Sequence, residues 1–476
     1  MTPGTAVGDH LARSHPKRGS LERIDPLWVA GGLVLIAAVV YLLSHPDRAN
    51  FYNHFVWQAD AWLHGRVAIT HPTVGAFRND YFQDVFPLVD QPGFALVPFP
   101  PLPALILSPF VAVFGLATNA ALIAALLGAI NVGLCWRMVR RLTSRPGTAL
   151  LATCFYGFGT VAWYAAMLGS TWFLAHVVAS TFLFLAITAA LDADRRTRSG
   201  STEQMPGKWP VLGWISSHQF VAGLLFGMAA LARLTTIFGA PFFLLVGGGG
   251  WWFRRAFSAG LGAAIPIALL LAYNLATTGH FFHPAYEYLY RNEYRPRPDL
   301  YHAEWAIEDP RYLPQNAAIM FLWPPHESPE RQRLQCDGDP TTGPVGGPEY
   351  PPASGIGLLL DEHCAVIRPD PIGMSVLLAS PGYLLALPAL RRLGRRRLVA
   401  GAAIAVAAIA LINLMHFSQG WVQFGYRFSN DFAPFALIPL TLGIARLGVR
   451  PLTVALVALS VAINAWGVYW GVTLGW

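Results

Sequence analysis

Eleven stretches of this chain are apolar over lengths that reach or approach a bilayer crossing, which takes about 20 helical residues. They lie near 27–43, 119–136, 148–166, 172–190, 218–232, 236–250, 256–277, 373–389, 398–415, 432–447 and 452–471. Hydrocarbon offers no water to an unpaired N–H or C=O, so segments of this kind cross as helices that pair their own backbone. Composition agrees: 54% of residues are hydrophobic and 12% charged, against about 25% charged in a soluble domain. The expected fold is an all-α polytopic membrane protein built on these eleven segments.

Orientation follows from Lys and Arg, which stay on the cytoplasmic side in short loops. With Arg13, Lys17, Arg18 and Arg23 inside, strict alternation also puts "RMVRRLTSR", "DADRRTRSG", "WWFRR", "RRLGRRR" and "RLGVR" inside. The net charge of +7 is then mostly a topology signal and calls for no nucleic-acid partner. The alternation requires that "PFPPLPALILSPFVAVFG", Pro98 to Gly115, does not cross. Its prolines disfavour a regular spanning helix, so it is placed as a helix lying at the outer interface or dipping in and out. The first apolar stretch lacks a small-residue cleavage site and reads as a retained anchor.

The chain thus divides into a cytoplasmic tail (1–26), a membrane module (27–277) with an outer loop at 44–118, an outer region (278–372) and C-terminal membrane helices (373–476). The expected location is the bacterial plasma membrane, with the N-terminus cytoplasmic. Cys336 and Cys364 share the outer region. That side is oxidising in bacteria, so they are expected to pair, the alternative being two free thiols.

No phosphate-binding loop, paired-cysteine zinc spacing or nucleophile elbow is present. The distribution of charge is more informative. Asp60, Asp80, Asp84 and Asp90 fall in the first outer loop, Glu287, Glu293 and Glu304 in the second, and Asp431 in the last. They share that side with Arg233, Arg291, Arg295 and Arg427. Charge near a membrane is costly unless paired or functional, so an outer bowl of carboxylates and arginines reads as a site; a merely solvated outer surface is the bland alternative.

One cytoplasm-anchored span is followed by an outer loop holding "NHFVWQADAWLHGR" and "RNDYFQD", then by a proline-led apolar helix ending in "FG" and a span ending in "RRL". This order resembles the GT-C superfamily of polyprenyl-phosphate-sugar glycosyltransferases, which includes protein O-mannosyltransferases and the lipid A aminoarabinose transferase. The segment "GMAALARLTTIFGAPFFLL" is similar to the Arg-containing helix pair of that superfamily. The resemblance implies a lipid-linked sugar donor, membrane lipids as surroundings, and a glycan, lipid or protein acceptor. It also implies an acidic residue just after the first span, where this chain has Asp47, Asn50, Asn53 and His54. The nearest matching carboxylates, Asp60 and Asp80, are therefore the expected bases.

Such a transfer needs a carboxylate to take the acceptor proton and cations to hold the departing phosphate. Arginine suits the phosphate because its planar fork binds two oxygens. Arg427, Arg233 and Arg291 are the expected phosphate ligands, with Asp431 orienting Arg427 from four residues away. His54, Asp84, Tyr286, Glu287, Trp421, Tyr426 and His176 are expected to line the substrate path. The bland readings are a local Arg427–Asp431 helix pair worth about 0.5 kcal/mol, a His176 bonded to a neighbouring helix, and an interfacial tryptophan belt. No cofactor or metal ligand set is assigned, although the chemistry admits a divalent metal.

A transporter or flippase for a lipid-linked or small anionic substrate is the competing class. It would place ionisable groups at mid-membrane, whereas here they gather outside. A membrane scaffold that docks partners on its outer loops also stays open.

Overall fold

The computed structural model describes residues 25–48, 52–70, 84–200, 214–292, 302, 304–333, 335–336, 349–420 and 422–476. Among the described residues six helices are long and apolar enough to cross a membrane. They are α1 (Pro26–Ser44), α4 (Ala120–Leu142), α7 (Thr171–Arg198), α10 (Trp252–Thr278), α15 (Arg397–Met415) and α17 (Pro451–Thr473). The pair α5 (Pro146–Phe158) and α6 (Ala162–Leu168) passes the same test only when taken together and is bent by 47° at the break between them, the form of a broken span or of a re-entrant loop.

The other four expected spans take different forms. Residues 218–232 form α8 (Ser217–Ala230), at 14 residues too short to cross unaided. Residues 236–250 split into a 3₁₀ turn, Leu234–Gly239, and a five-residue helix, α9 (Pro241–Leu245), because Pro241 and the glycines at 247–250 interrupt it. Residues 373–389 break at Ser380–Pro381 into α14 (Val376–Ala379) and a further 3₁₀ turn. Residues 432–447 fall within α16 (Ser429–Leu447), which contains Pro434 and Pro439 and is buried along most of its length. A helix apolar all round belongs inside a bundle, and α16 occupies its centre, packed on α4, α5, α7 and α15.

Close packing elsewhere rests on small residues. At Gly223 of α8 an added Cβ would come within 1.9 Å of the Ala259 carbonyl of α10, so only glycine allows this approach.

The proline-led stretch forms α3 (Leu102–Phe114). Its 13 residues reach about 20 Å, short of the roughly 30 Å hydrocarbon core. It packs on α2 (His54–Leu63). A small antiparallel sheet follows α2: β1 (Ile69–Thr70), β2 (Phe86–Pro87) and β3 (Phe94–Leu96), in the order β1-β3-β2, with Ile69 opposite Ala95 and Phe86 opposite Leu96. This sheet fixes the chain just after Asp84. Later segments include α11 (Ala285–Asn292), α12 (Leu313–Phe321) and α13 (Gly357–Leu360). Cys336 and Cys364 form a disulfide, with Cα atoms 5.7 Å apart.

Candidate functional site

The start of α7 organises the site. The backbone N–H of Thr171 donates to the Tyr52 carbonyl at 3.1 Å, and its Oγ1 accepts the His54 N–H at 3.1 Å, pinning the entry to α2. Trp172, Phe173 and His176 then each engage a different charged residue. The opposite end of α7 carries Arg195, Arg196 and Arg198.

Asp431 lies in the first turn of α16, where a helix N-terminus favours negative charge. It is fully buried, and its carboxylate is saturated. Oδ1 bonds His176 Nδ1 at 2.7 Å and accepts Arg233 Nε at 3.3 Å. Oδ2 accepts an Arg233 terminal nitrogen at 3.0 Å, Thr235 Oγ1 at 2.7 Å and Asn413 Nδ2 at 3.4 Å. The two-pronged Arg233 contact fixes the plane of the guanidinium, whose side chain keeps 18% exposure. Arg233 gains that reach because it sits in extended backbone between α8 and the 3₁₀ turn.

Phe428 connects the two arginines. The Arg233 guanidinium lies 5.4 Å from its ring centroid and that of Arg427 lies 5.2 Å from it. Arg427 also lies over Phe173, at 5.8 Å. Its guanidinium fills the space beside Gly420, whose φ of +95° suits glycine and where a Cβ would meet the Arg427 head at 2.7 Å. The negative faces of aromatic rings thus hold two cations around Phe428.

A second carboxylate stands one turn along α7. Trp172 Nε1 donates to Asp84 Oδ2 at 2.8 Å. Asp84 adopts φ of +59°, a conformation uncommon outside glycine that points to a demand on its position. It is half-buried, in contrast to Asp431. Tyr286 of α11 senses the same group: burial pushes its phenol up to about 12, Arg233 opposes that rise, and Asp84 and Glu308 add to it. Tyr286 therefore lies within the electrostatic reach of both the cation and the carboxylate. Glu308 in turn bonds His416 at 3.1 Å.

The remaining expected residues are placed as follows. Asp60 lies near the end of α2, 3.5 Å from His64 and 3.9 Å from Arg66. His54 is buried and bonds Thr171 Oγ1 at 2.9 Å, with its ring against Trp57, Phe99 and Trp172. Glu287 and Arg291 pair with each other on the exposed face of α11. Tyr426 is buried, its hydroxyl donating to Gln419 Oε1 at 2.6 Å, so it braces the loop and does not line an open path. His176 is likewise buried and acts on Asp431, not on a surface ligand. Asp80, Glu293, Arg295 and Trp421 lie outside the described residues.

The expected Arg427–Asp431 pair is corrected. Asp431 pairs with Arg233 and His176, from other helices. The i,i+4 argument assumed continuous helix, but α16 begins at Ser429, so Arg427 precedes it and projects elsewhere. Trp172, Thr235 and Asn413 were not singled out in the sequence, since nothing local distinguishes them from ordinary span residues. The adjacency of Thr235 to Arg233 in an otherwise apolar run was the available signal.

Among the described residues no group of three or more His, Cys, Asp or Glu lies together as a metal site would require.

The sequence matches no family model and no curated protein. Its structure is similar to archaeal oligosaccharyltransferase structures. The apo form from Archaeoglobus fulgidus matches with a TM-score of 0.47 at 12% identity, over 94% of this chain and 56% of that one. The form tethered with an acceptor peptide containing the NVT sequon gives 0.48 at 13% identity, over 94% and 55%. An Archaeoglobus fulgidus structure in complex with an inhibitory peptide and a dolichol-phosphate gives 0.48 at 11% identity, over 94% and 56%. This chain therefore spans little more than half the length of the chains it matches.

Proposed function

We propose that this chain is an integral-membrane glycosyltransferase of GT-C type that moves a sugar from a polyprenyl-phosphate donor to an acceptor hydroxyl on the outer face. One observation carries the reading: consecutive turns of α7 hold a reachable carboxylate, Asp84, and a fixed cation, Arg233, through Trp172 and the His176–Asp431 pair. A base and a preorganised cation held by one helix are what the transfer needs.

In this mechanism Arg233 and Arg427 hold the donor phosphate, approached laterally from the bilayer. Asp84 takes the proton from the acceptor hydroxyl as its oxygen bonds the anomeric carbon. The bond from that carbon to the phosphate oxygen breaks, and polyprenyl phosphate leaves with the electron pair, its charge met by the two guanidiniums. Asp431 serves as a positioning residue, since its buried carboxylate cannot reach substrate. Asp84 thus replaces Asp60 as the favoured base, because it is held by the same helix, α7, that orders the Arg233 group, whereas Asp60 lies near the end of α2 beside His64 and Arg66.

The test is reconstitution in proteoliposomes with synthetic polyprenyl-phosphate sugars and a panel of glycan, lipid and peptide acceptors. Labelled sugar should move from the lipid-phosphate donors and not from nucleotide sugars. Movement of intact donor across the bilayer with no transfer would support the flippase class instead.

A further inference from the structure

Two apolar tips lie at one depth on the site side of the bundle. In the first, Ile356 is 74% exposed and Leu359 44%, with Leu358 beside them. In the second, Leu322 is 74% exposed and Phe321 45%, with Trp323 following. Both belong to the region between α10 and α14, away from the Asp431 group.

The last spanning helix sets their height. Trp466 and Trp470 of α17 donate to the Leu359 carbonyl at 2.9 and 3.1 Å, and the Tyr469 hydroxyl donates to the Leu360 carbonyl at 2.7 Å. Counted from Pro451, those aromatics stand about 22 to 28 Å along the helix axis, at the far rim of a hydrocarbon core roughly 30 Å thick. Trp470 is buried, whereas Trp466 is half-buried and Tyr469 is 39% exposed; outward-facing tryptophan and tyrosine gather at that rim because an apolar ring and a polar edge are both satisfied there.

The second tip reaches the same level by a separate route. Asn464 of α17 donates to the Ala379 carbonyl at 2.8 Å, and the Gly382 N–H donates to Ser460 Oγ at 2.9 Å, so this stretch runs antiparallel to α17. Ser375, four residues before Ala379, then lies about 26 Å along the axis. Its N–H and Oγ bond the Trp323 and Phe321 carbonyls at 2.9 and 2.8 Å. The two tips are also joined, since His326 and Arg368 exchange backbone bonds at 3.0 and 2.8 Å.

We propose that Phe321–Trp323 and Ile356–Leu359 insert into the bilayer leaflet nearer the site, anchoring the region between α10 and α14 to the lipid surface. The partner is lipid because both tips present exposed apolar side chains at the depth where the outward-facing Tyr469 of α17, 39% exposed, marks the aromatic rim. The proposal is independent of the transferase reading.

Leu322→Cys and Leu359→Cys, each spin-labelled and reconstituted in phosphatidylcholine vesicles, test it by power saturation. The native chain treated with the same label supplies the background from its own thiols, and a label at Val89→Cys, where the native side chain is 92% exposed, gives an aqueous reference. Dissolved oxygen should relax both tip labels severalfold more than a water-soluble nickel chelate, with the order reversed at Val89→Cys. Tip labels that behave like the reference would overturn the proposal, and so would labels that neither reagent reaches, which is the signature of a protein partner or second copy covering the patch. Two separate sites guard against misfolding of either variant.

Discussion

Trp172 and His176 stand one turn apart on α7 and hold different carboxylates: Asp84 accepts from the indole at 2.8 Å, and Asp431 bonds the imidazole at 2.7 Å. One turn separates the two holding positions by about 6 Å along the axis. Burial separates their roles, because Asp431 is sealed among five partner atoms while Asp84 keeps access to solvent.

Asp431→Asn keeps the shape but removes the charge that locks Arg233. Leaving that guanidinium without its anion should cost about 3–5 kcal/mol of stability, read as a lower melting temperature in detergent, together with weaker donor binding in whatever protein remains folded. Wild-type stability in this variant would contradict the assigned network.

Asp84→Asn should lower kcat by about 10²–10⁴, the usual worth of a general base, with the donor KM unmoved. Trp172→Phe removes one hydrogen bond and should cost about tenfold. Steady-state transfer assays at saturating acceptor check both.

Arg427→Lys keeps the charge and loses the planar fork. Charge-assisted hydrogen bonds contribute about 1.5–3 kcal/mol, so the donor KM should rise about 10- to 100-fold with a smaller change in kcat. An unchanged donor KM would return Arg427 to a structural role.

His283, buried before α11, has its ring pushed down to about 4 by desolvation, and its Nδ1 accepts the Ala285 N–H at 3.2 Å. The unfolded chain binds this proton more readily than the folded one, from the ordinary imidazole value of 6.5 down to about 4. Its stability contribution is therefore complete above pH 6.5 and fades as pH falls toward 4, by on the order of 3 kcal/mol. His283→Phe should lose that part of the acid dependence of thermal unfolding.

Much of the membrane architecture was legible because it follows from one-dimensional signals. Apolar length marked the helices, and proline set α3 apart as a short non-spanning helix. Arg233 and Asp431 were also visible, as charges in apolar surroundings. What was not legible was which residues meet: Asp431 finds Arg233 at a sequence distance of 198, and no local spacing encodes that contact. The local spacing that was present, Arg427 to Asp431, misled because helix α16 starts between them. The span count was similarly blurred where Pro241, Pro381 and the glycines at 247–250 break apolar runs into pieces that composition alone cannot distinguish from whole helices.

The most direct test compares Asp84→Asn and Arg427→Lys in one transfer assay with varied polyprenyl-phosphate sugar. The account predicts a split: kcat falls in the first with donor KM preserved, and donor KM rises in the second with kcat largely preserved. An Asp84→Asn protein that turns over at the wild-type rate, folded and in the same vesicles, would contradict it.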